Sequence, residues 1–254
     1  MLTMRLRLAR HGLAALVALA LLPVAAVTAN AAAAAVSSTP TSPIPSVGKL
    51  FTHAHGFSDS ANCTGTVLNT PKHDIVLTAK HCTRGIGKFS LAYFAPGYDM
   101  SAKYGEWKIK GAYDGPGDLE VLVIDKNNGK NIQDVVGGQN YGIDIPIGGP
   151  VSIIGYPSSD GHGRPYYCGA DATVHVWKGH PNEWQTDCGK NFNAGVSGSA
   201  YMVNYNPQTH QGTVVAALGG DDEGSAGPGG EFSLGDPLTG SFNTFLQDVL
   251  KKHA

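Results

Sequence analysis

The sequence predicts an all-β protein body closed by a single amphipathic helix at its C-terminal end. Glycine supplies 34 of the 254 residues, and Val, Thr and Tyr recur along the chain. This composition favours many short strands joined by tight turns over a bundle of helices. Apolar runs separated by turn residues predict strands at 65–68, 75–79, 121–124, 151–156 and 213–218.

The one predicted helix spans residues 241–253. Its apolar residues recur at i, i+3, i+4, i+7 and i+8, the spacing of a helical face that docks on a protein body. They are Phe242, Phe245, Leu246, Val249 and Leu250. Ser241 is the expected N-cap, and Lys251 and Lys252 suit the negative end of the helix dipole.

The length and charge of the chain limit its class. A chain of 254 residues is enough for one large domain or two small ones with a sizeable core. Its 18 basic residues are balanced by 20 acidic ones, for a net charge of −2, and they form no basic cluster. We therefore expect neither nucleic acid nor an anionic membrane as a partner.

Residues 1–31 have the pattern of a secretory signal peptide. Three arginines within the first ten residues precede an apolar run at 13–27, which is shorter than the roughly 20 residues of a membrane span. Small residues ending at Ala31 suit cleavage after that residue. We expect a secreted, extracellular protein with no membrane contact after cleavage, and an uncleaved membrane anchor is the alternative.

The next segment, residues 32–47, consists mainly of Ala, Ser, Thr and Pro and carries no charge. Such a composition is typical of a linker or a short pro-segment. The alternation of short apolar runs and turns then continues over residues 48–254, which predicts one continuous domain.

The chain has four cysteines. In an exported protein they indicate two disulfides rather than a metal cage, and the oxidising compartment alone leaves three pairings open. Cys63 lies 19 residues before Cys82, a spacing that a disulfide across adjacent strands can close.

Three segments carry candidate catalytic residues. In the first, His81 lies where the chain leaves an apolar strand, next to Cys82, so a disulfide there would immobilise the backbone beside the imidazole. An isolated histidine of this kind is more often structural. In the second, Asp118 lies just ahead of the predicted apolar strand at 121–124. A buried Asp there needs a partner such as an imidazole N–H, and an ordinary turn Asp is the alternative. Asp114 has the better turn composition and ranks second.

The third segment, residues 193–202, offers Ser197 within a glycine-rich bend that is followed by an apolar strand. Glycines beside a nucleophile let the backbone turn so that the amides of Gly195 and Ser197 converge on one point. The oxyanion of a tetrahedral intermediate would occupy that point. Taken by itself, the segment is also compatible with a serine-rich surface turn.

Together the three segments resemble those of chymotrypsin-like serine proteases of the secreted bacterial branch. LTAKHC at 77–82 is similar to the family's TAAHC, GDLEVLVI at 117–124 to its DIALL-type strand, and GVSGSA at 195–200 to its GDSGGP turn. Gly155-Tyr156-Pro157 resembles a recurrent bacterial tripeptide. The resemblance runs from about residue 47 to the C-terminus. It implies two six-stranded antiparallel barrels, at about 48–130 and 140–240, with a catalytic triad in the cleft between them.

The resemblance also implies the role of each residue. Ser197 would attack the scissile carbonyl, His81 would accept and return the proton, and Asp118 would orient His81. The amides of Gly195 and Ser197 would form the oxyanion hole. The expected protein is a monomeric serine endopeptidase that acts on proteins or peptides without a cofactor. The alternatives are a catalytically inactive homologue that serves as a binding protein and a secreted esterase using the same triad.

Two departures from the family concern the oxyanion turn and the pocket. Val196 stands where digestive members carry an Asp, and no Ile-Val-Gly-Gly sequence begins the mature region, so an N-terminal ion pair cannot hold the turn. Cys188 lies nine residues before Ser197, farther than in the digestive enzymes, and we pair it with Cys168.

The expected substrate pocket has Asn191 where trypsin-type members carry an Asp. Its second wall is 217–220, with Leu218, Gly219 and Gly220 as pocket residues, and contains no cation. We therefore expect a broad pocket that takes apolar or basic P1 residues rather than acidic ones.

No metal site is predicted. His53 and His55 share a strand face but lack a third ligand with suitable spacing, and the acidic run 221–223 lacks the spacing of an EF-hand.

Overall fold

Two closed rings of antiparallel strands form the protein. The computed structural model describes residues 38–51, 62–83, 93–158, 163–176, 181–219, 225–226 and 232–253. Its strands are β1 Thr39–Pro40, β2 Val47–Phe51, β3 Asn62–Val67, β4 Ile75–Ala79, β5 Tyr93–Pro96, β6 Trp107–Asp114, β7 Leu119–Ile124, β8 Asn140–Tyr141, β9 Gly149–Gly155, β10 Tyr166–His175, β11 Glu183–Asp187, β12 Ala200–Asn206, β13 Gln211–Leu218, β14 Ser225–Ala226 and β15 Phe232–Pro237.

The first barrel closes in the order β2-β3-β4-β7-β6-β5, with β5 returning to β2. In the second ring β10, β9, β12, β13, β15 and β11 pair in turn, and β11 returns to β10. The two six-stranded barrels that the resemblance implies are therefore confirmed.

A core between the barrels explains the continuous apolar runs in the sequence. Strands β4 and β7 are buried on both faces, since one face lines the first barrel and the other meets the second. The shared cluster includes side chains of both barrels and the C-terminal helix, among them Leu77, Val121, Ile154, Met202 and Phe242. Burial of each large aliphatic or aromatic side chain stabilises the fold by about 1.5–3 kcal/mol.

The C-terminal helix, α2, spans Gly240–Lys252 and buries Phe242, Leu246, Val249 and Leu250 against the shared core. The prediction that Ser241 caps it is wrong. The N-cap residue is Thr239 and has no side-chain capping bond, while the Gly240 amide donates to Asp144 Oδ1 at 3.1 Å. The tertiary fold thus supplies the cap.

A second helix, α1 at Ile132–Val136, was not predicted because five residues are too few to show a helical period.

The described part of the predicted linker is packed on the protein body. Strand β1 pairs with β10, and the Ser38 amide donates to the carbonyl of Cys188 at 2.9 Å. Ile44 and Ser46 are both buried. The segment from residue 38 onward therefore belongs to the folded domain. The predicted signal peptide, residues 1–31, lies outside the described residues.

Both predicted disulfides are present, Cys63–Cys82 in the first barrel and Cys168–Cys188 in the second. Within the described residues no helix is long and apolar enough to cross a membrane.

Candidate active site

His81 and Asp118 form a hydrogen-bonded pair at one end of the first barrel. His81 lies in the single 3₁₀ turn Lys80–Cys82 that follows β4, and Asp118 directly precedes β7. Because Ala79 and Leu119 are register partners in this antiparallel pair, the two residues are brought side by side. The distance from His81 Nδ1 to Asp118 Oδ2 is 2.5 Å, and the His81 amide donates to Asp118 Oδ1 at 3.0 Å.

The loop that carries Asp118 is held from two sides. The Asp118 amide donates to Asp236 Oδ2 at 2.5 Å. The Lys80 ammonium donates to the carbonyls of Gly115 and Gly117 at 3.0 and 2.6 Å. Gly117 has a φ of +61°, and a Cβ there would lie 2.5 Å from Asp236 Oδ2, so this position requires glycine.

Sequence reasoning missed Asp236. It lies in β15, 118 residues after Asp118, and is only 6% exposed. The available signal was an acidic residue within an otherwise apolar segment near the C-terminus, but nothing local identifies its partner.

The Cys63–Cys82 disulfide lies against the imidazole. A ring nitrogen of His81 and both sulfurs lie within 4.8 Å of one another. This is the only group of three or more metal-ligand side chains within the described ranges, and its sulfurs are bonded to each other rather than available as thiolates. His53, His55 and the acidic run 221–223 lie outside the described residues.

Two consecutive tight turns carry Ser197. The Val196 amide donates to the carbonyl of Asn193 at 3.2 Å, and the Ser199 amide donates to that of Val196 at 2.9 Å. The third residues of these turns, Gly195 and Gly198, have φ values of +97° and +82°. Type II turns need a positive φ at this position, which glycine adopts without strain.

The Ser197 turn abuts the strand that leads to His81. The Gly198 amide donates to the carbonyl of Leu218 at 2.7 Å. A Cβ on Gly198 would lie 3.0 Å from the Ala79 amide nitrogen and would overlap the carbonyl oxygen of Thr64. Only glycine therefore allows this approach. Ser197 is partly buried.

Between the described residues no hydrogen bond joins Ser197 Oγ to His81, whose hydrogen bonds go to Asp118. Catalytic hydrogen bonds are often long before substrate binds and shorten in the complex.

The amides of Gly195 and Ser197 have no acceptor within the described part of the chain, whereas those of Val196, Gly198 and Ser199 all donate to carbonyls. The N–H groups of Gly195 and Ser197, on either side of Val196, thus have no acceptor among the described residues. A carbonyl oxygen that becomes negatively charged is the acceptor such a pair stabilises best.

Val196, the residue before Ser197, is buried in the core of the second barrel. It is 3% exposed and belongs to a cluster that includes Phe192 and the Cys168–Cys188 disulfide. Apolar packing therefore fixes the side chain at the position where digestive members carry an Asp.

The predicted pocket residues differ in burial. Leu218 is buried, and Gly219 lies so close to the His81–Asp118 pair that a Cβ there would be 2.6 Å from Asp118 Oδ2. Asn191 is exposed, while the next side chain, Phe192, is buried. Gly220 lies outside the described residues.

Glu120 is a buried acid two residues beyond Asp118. It is 1% exposed, and the Thr83 hydroxyl lies 2.6 Å from both of its carboxyl oxygens. Burial raises the pKa of Glu120 to about 7, and the negative charges of Asp114 and Asp118 act in the same direction.

This shift predicts a stability that falls with rising pH. The folded protein holds the Glu120 proton more tightly than the unfolded chain, so ionisation from about pH 4.5 to about pH 7 favours unfolding. The loss is about 3 kcal/mol at 1.36 kcal/mol per pKa unit. Glu120→Gln should remove this contribution, as measured by denaturant unfolding from pH 4 to 8. Parallel pH curves for the wild type and the variant would contradict it.

Comparisons with known proteins identify the fold. No family model and no curated protein matches the sequence. Among solved structures, the protease Anisep from Arthrobacter nicotinovorans is 20% identical with a TM-score of 0.68, covering 83% of this chain and 98% of its own. The thermostable serine protease AL20 from an extremophilic microorganism is 17% identical with a TM-score of 0.66, covering 81% and 96%. A Glu endopeptidase is 21% identical with a TM-score of 0.59, covering 84% and 96%. The chain therefore has the chymotrypsin-like fold of these serine proteases.

Proposed function

We propose that this chain, whose fold is that of chymotrypsin-like serine proteases, is a secreted serine endopeptidase. One observation carries the proposal. The hydrogen-bonded His81–Asp118 pair adjoins the strand end that the Ser197 turn abuts, and the amides of Gly195 and Ser197 in that turn have no acceptor among the described residues. Nucleophile, base, orienting acid and oxyanion donors are the parts that acyl transfer needs.

In the proposed reaction Ser197 Oγ attacks the scissile carbonyl carbon while His81 Nε2 takes the hydroxyl proton. Asp118 holds the Nδ1 hydrogen, which leaves Nε2 as the proton acceptor. The carbonyl oxygen becomes an oxyanion and accepts from the amides of Gly195 and Ser197. The C–N bond then breaks as His81 gives its proton to the leaving amine, and an acyl-enzyme forms. Water, activated by His81, hydrolyses the ester and restores Ser197.

Peptide or protein substrates are favoured over simple esters because several structures of similar fold, Anisep and AL20 among them, are proteases. The mechanism uses only side chains and backbone amides and requires no cofactor. Secretion is supported by the N-terminal signal pattern and by the two disulfides, which persist in oxidising compartments. We expect a monomer with no nucleic-acid or membrane partner.

Fluorophosphonate labelling combined with casein hydrolysis tests this function. Labelling requires an activated serine and a working oxyanion hole, so we expect one equivalent of probe per chain and parallel loss of proteolysis. Protein unfolded before addition of the probe is the control and should remain unlabelled. A native protein that binds peptides but neither reacts with the probe nor cleaves casein would be the inactive homologue, and cleavage of esters alone would indicate an esterase.

Substrate specificity is expected to be broad. The described pocket walls offer no buried cation to hold an acidic P1 side chain, and Asn191 is exposed rather than placed as a floor for a basic one. A solvent-exposed ion pair between the pocket rim and a charged P1 side chain would contribute only about 0–1 kcal/mol to binding. That is at most about a fivefold preference for the charged residue. Digestion of a peptide library followed by mass spectrometry should show cleavage after apolar and basic residues. Predominant cleavage after Glu or Asp would refute this prediction.

A further inference from the structure

We propose that Thr64 is a positioning residue that fixes the turn presenting the two oxyanion amides. The inference rests on the proposed function for its catalytic consequence, although the conformational effect can be measured without activity. Thr64 lies in β3 of the first barrel, next to Cys63, and is fully buried. It therefore reaches the nucleophile turn, which belongs to the second barrel, across the interface between the barrels.

Every polar group of Thr64 is engaged, and three of its hydrogen bonds cross to the second barrel. Its amide donates to the carbonyl of Ser197 at 2.7 Å, and its hydroxyl donates to the carbonyl of Gly195 at 3.1 Å. The same hydroxyl accepts from the Tyr156 amide at 3.0 Å. Its carbonyl accepts from the Thr78 hydroxyl at 2.8 Å, which anchors it within the first barrel.

These contacts complete a series in which four successive peptide units of the turn are held by their carbonyls. The carbonyl of Ala194 accepts from the Ser158 amide at 2.7 Å, and that of Val196 accepts from the Ser199 amide at 2.9 Å. The two alternate carbonyls, those of Gly195 and Ser197, are the ones that accept from Thr64. Because a peptide unit is planar, holding a carbonyl also sets the direction of the N–H of the following residue. The bonds from Ser158 and Ser199 thereby orient the N–H groups of Gly195 and Ser197, and the bonds from Thr64 fix the peptide unit that follows each of these two residues.

Among these four bonds, only the one to Gly195 uses a side chain as donor. Gly195 is also, with Gly198, one of the two most adaptable residues of the turn, since glycine takes positive and negative φ with similar ease. The residue after it, Val196, has no charge with which to form an ion pair that would hold the turn. The Thr64 hydroxyl is thus the side-chain restraint on the Gly195 conformation.

Three variants separate this role from ordinary packing. Thr64→Val keeps the shape and the backbone bond to Ser197 but removes the hydroxyl, and Thr64→Ser retains it. Thr66→Val is the matched control, because Thr66 lies two residues along the same strand, on the same face, and is also fully buried. Its hydroxyl has no hydrogen-bond partner among the described residues.

In steady-state peptide hydrolysis we expect Thr64→Val to lower kcat about 10- to 100-fold with little change in KM, a fraction of the 10²–10³-fold loss on removing an oxyanion donor. Affinity for a peptidyl trifluoromethyl ketone, which forms an oxyanion on binding, should fall by the same factor. Thr64→Ser and Thr66→Val should stay within about threefold of the wild type. Thermal unfolding of each variant shows whether it is folded at the assay temperature.

A second measurement does not depend on activity. The sequence contains two Ala-Gly pairs, Ala194-Gly195 and Ala226-Gly227. Full-length protein labelled with ¹³C-carbonyl alanine and ¹⁵N-glycine therefore gives two correlations across these peptide bonds. We expect Thr64→Val to shift the Gly195 signal and Thr66→Val to leave it in place.

The outcomes are distinguishable. If the wild type cleaves peptides and Thr64→Val behaves like Thr66→Val in kinetics and in the Gly195 signal, the role of Thr64 is overturned. If the wild type has no activity but the Gly195 signal moves only in Thr64→Val, the protease function fails while the control of the turn by Thr64 stands.

Discussion

Ser197→Ala is expected to lower kcat for peptide hydrolysis by about 10⁶-fold and to abolish fluorophosphonate labelling. The magnitude is that of removing the nucleophile from a triad whose members act as a unit. What remains would come from the oxyanion amides and substrate binding. The measurement is single-turnover hydrolysis with quantified probe incorporation, followed by mass spectrometry of the labelled peptide.

Ser199→Ala is the matched control for this prediction. Ser199 lies two residues away, is fully buried, and its hydroxyl has no hydrogen-bond partner among the described residues. It should keep activity and labelling near the wild-type level. Probe attachment to any serine other than Ser197 would overturn the assignment of the nucleophile.

Asp118→Asn is expected to lower kcat by about 10⁴-fold at neutral pH. An asparagine amide can donate to His81 Nδ1 and so favour the tautomer that leaves Nε2 protonated and unable to act as a base. The carboxylate also accepts from the His81 amide, a bond that the amide oxygen of asparagine can retain, so the fold should persist. Stopped-flow measurement of acylation, with thermal unfolding in parallel, provides the test.

Asp114→Asn serves as the control, because Asp114 was the second candidate for the acidic role and is exposed. It should retain activity within about twofold. A large loss in Asp114→Asn together with a small one in Asp118→Asn would exchange their roles.

The sequence predicted the strands with continuous apolar runs, but not the alternating or short ones. Ile75–Ala79 was predicted with its observed bounds, because burial on both faces makes every residue of β4 apolar or small. Strand β10, Tyr166–His175, was missed because about half of its residues face solvent and its pattern is mixed. The helix stripe from Phe242 to Leu250 was predicted for a related reason, since one face docks on the core.

Local sequence motifs were also enough to predict the candidate catalytic residues and the disulfide-bonded cysteine next to His81. His81 and Asp118 occur near the ends of apolar runs, and Ser197 lies in a glycine-rich bend that leads into one. Strand ends within a barrel meet at its rim, so such residues are available to a cleft. The Cys63–Cys82 disulfide could be predicted from the sequence, because a separation of 19 residues is enough for two adjacent strands and the turn between them.

Only the tertiary structure decided which distant groups support these residues. Asp236 meets the Asp118 amide across 118 residues, and Thr64 meets Gly195 across 131. It also decided that the chain from Ser38 to Ser46 packs on the body and that Asn191 faces solvent. The spacing of apolar residues along the sequence predicts which side chains are buried, because the hydrophobic effect acts on apolar surface without regard to direction. It does not report a hydrogen-bond partner, because that choice depends on barrel closure and on how the two barrels meet.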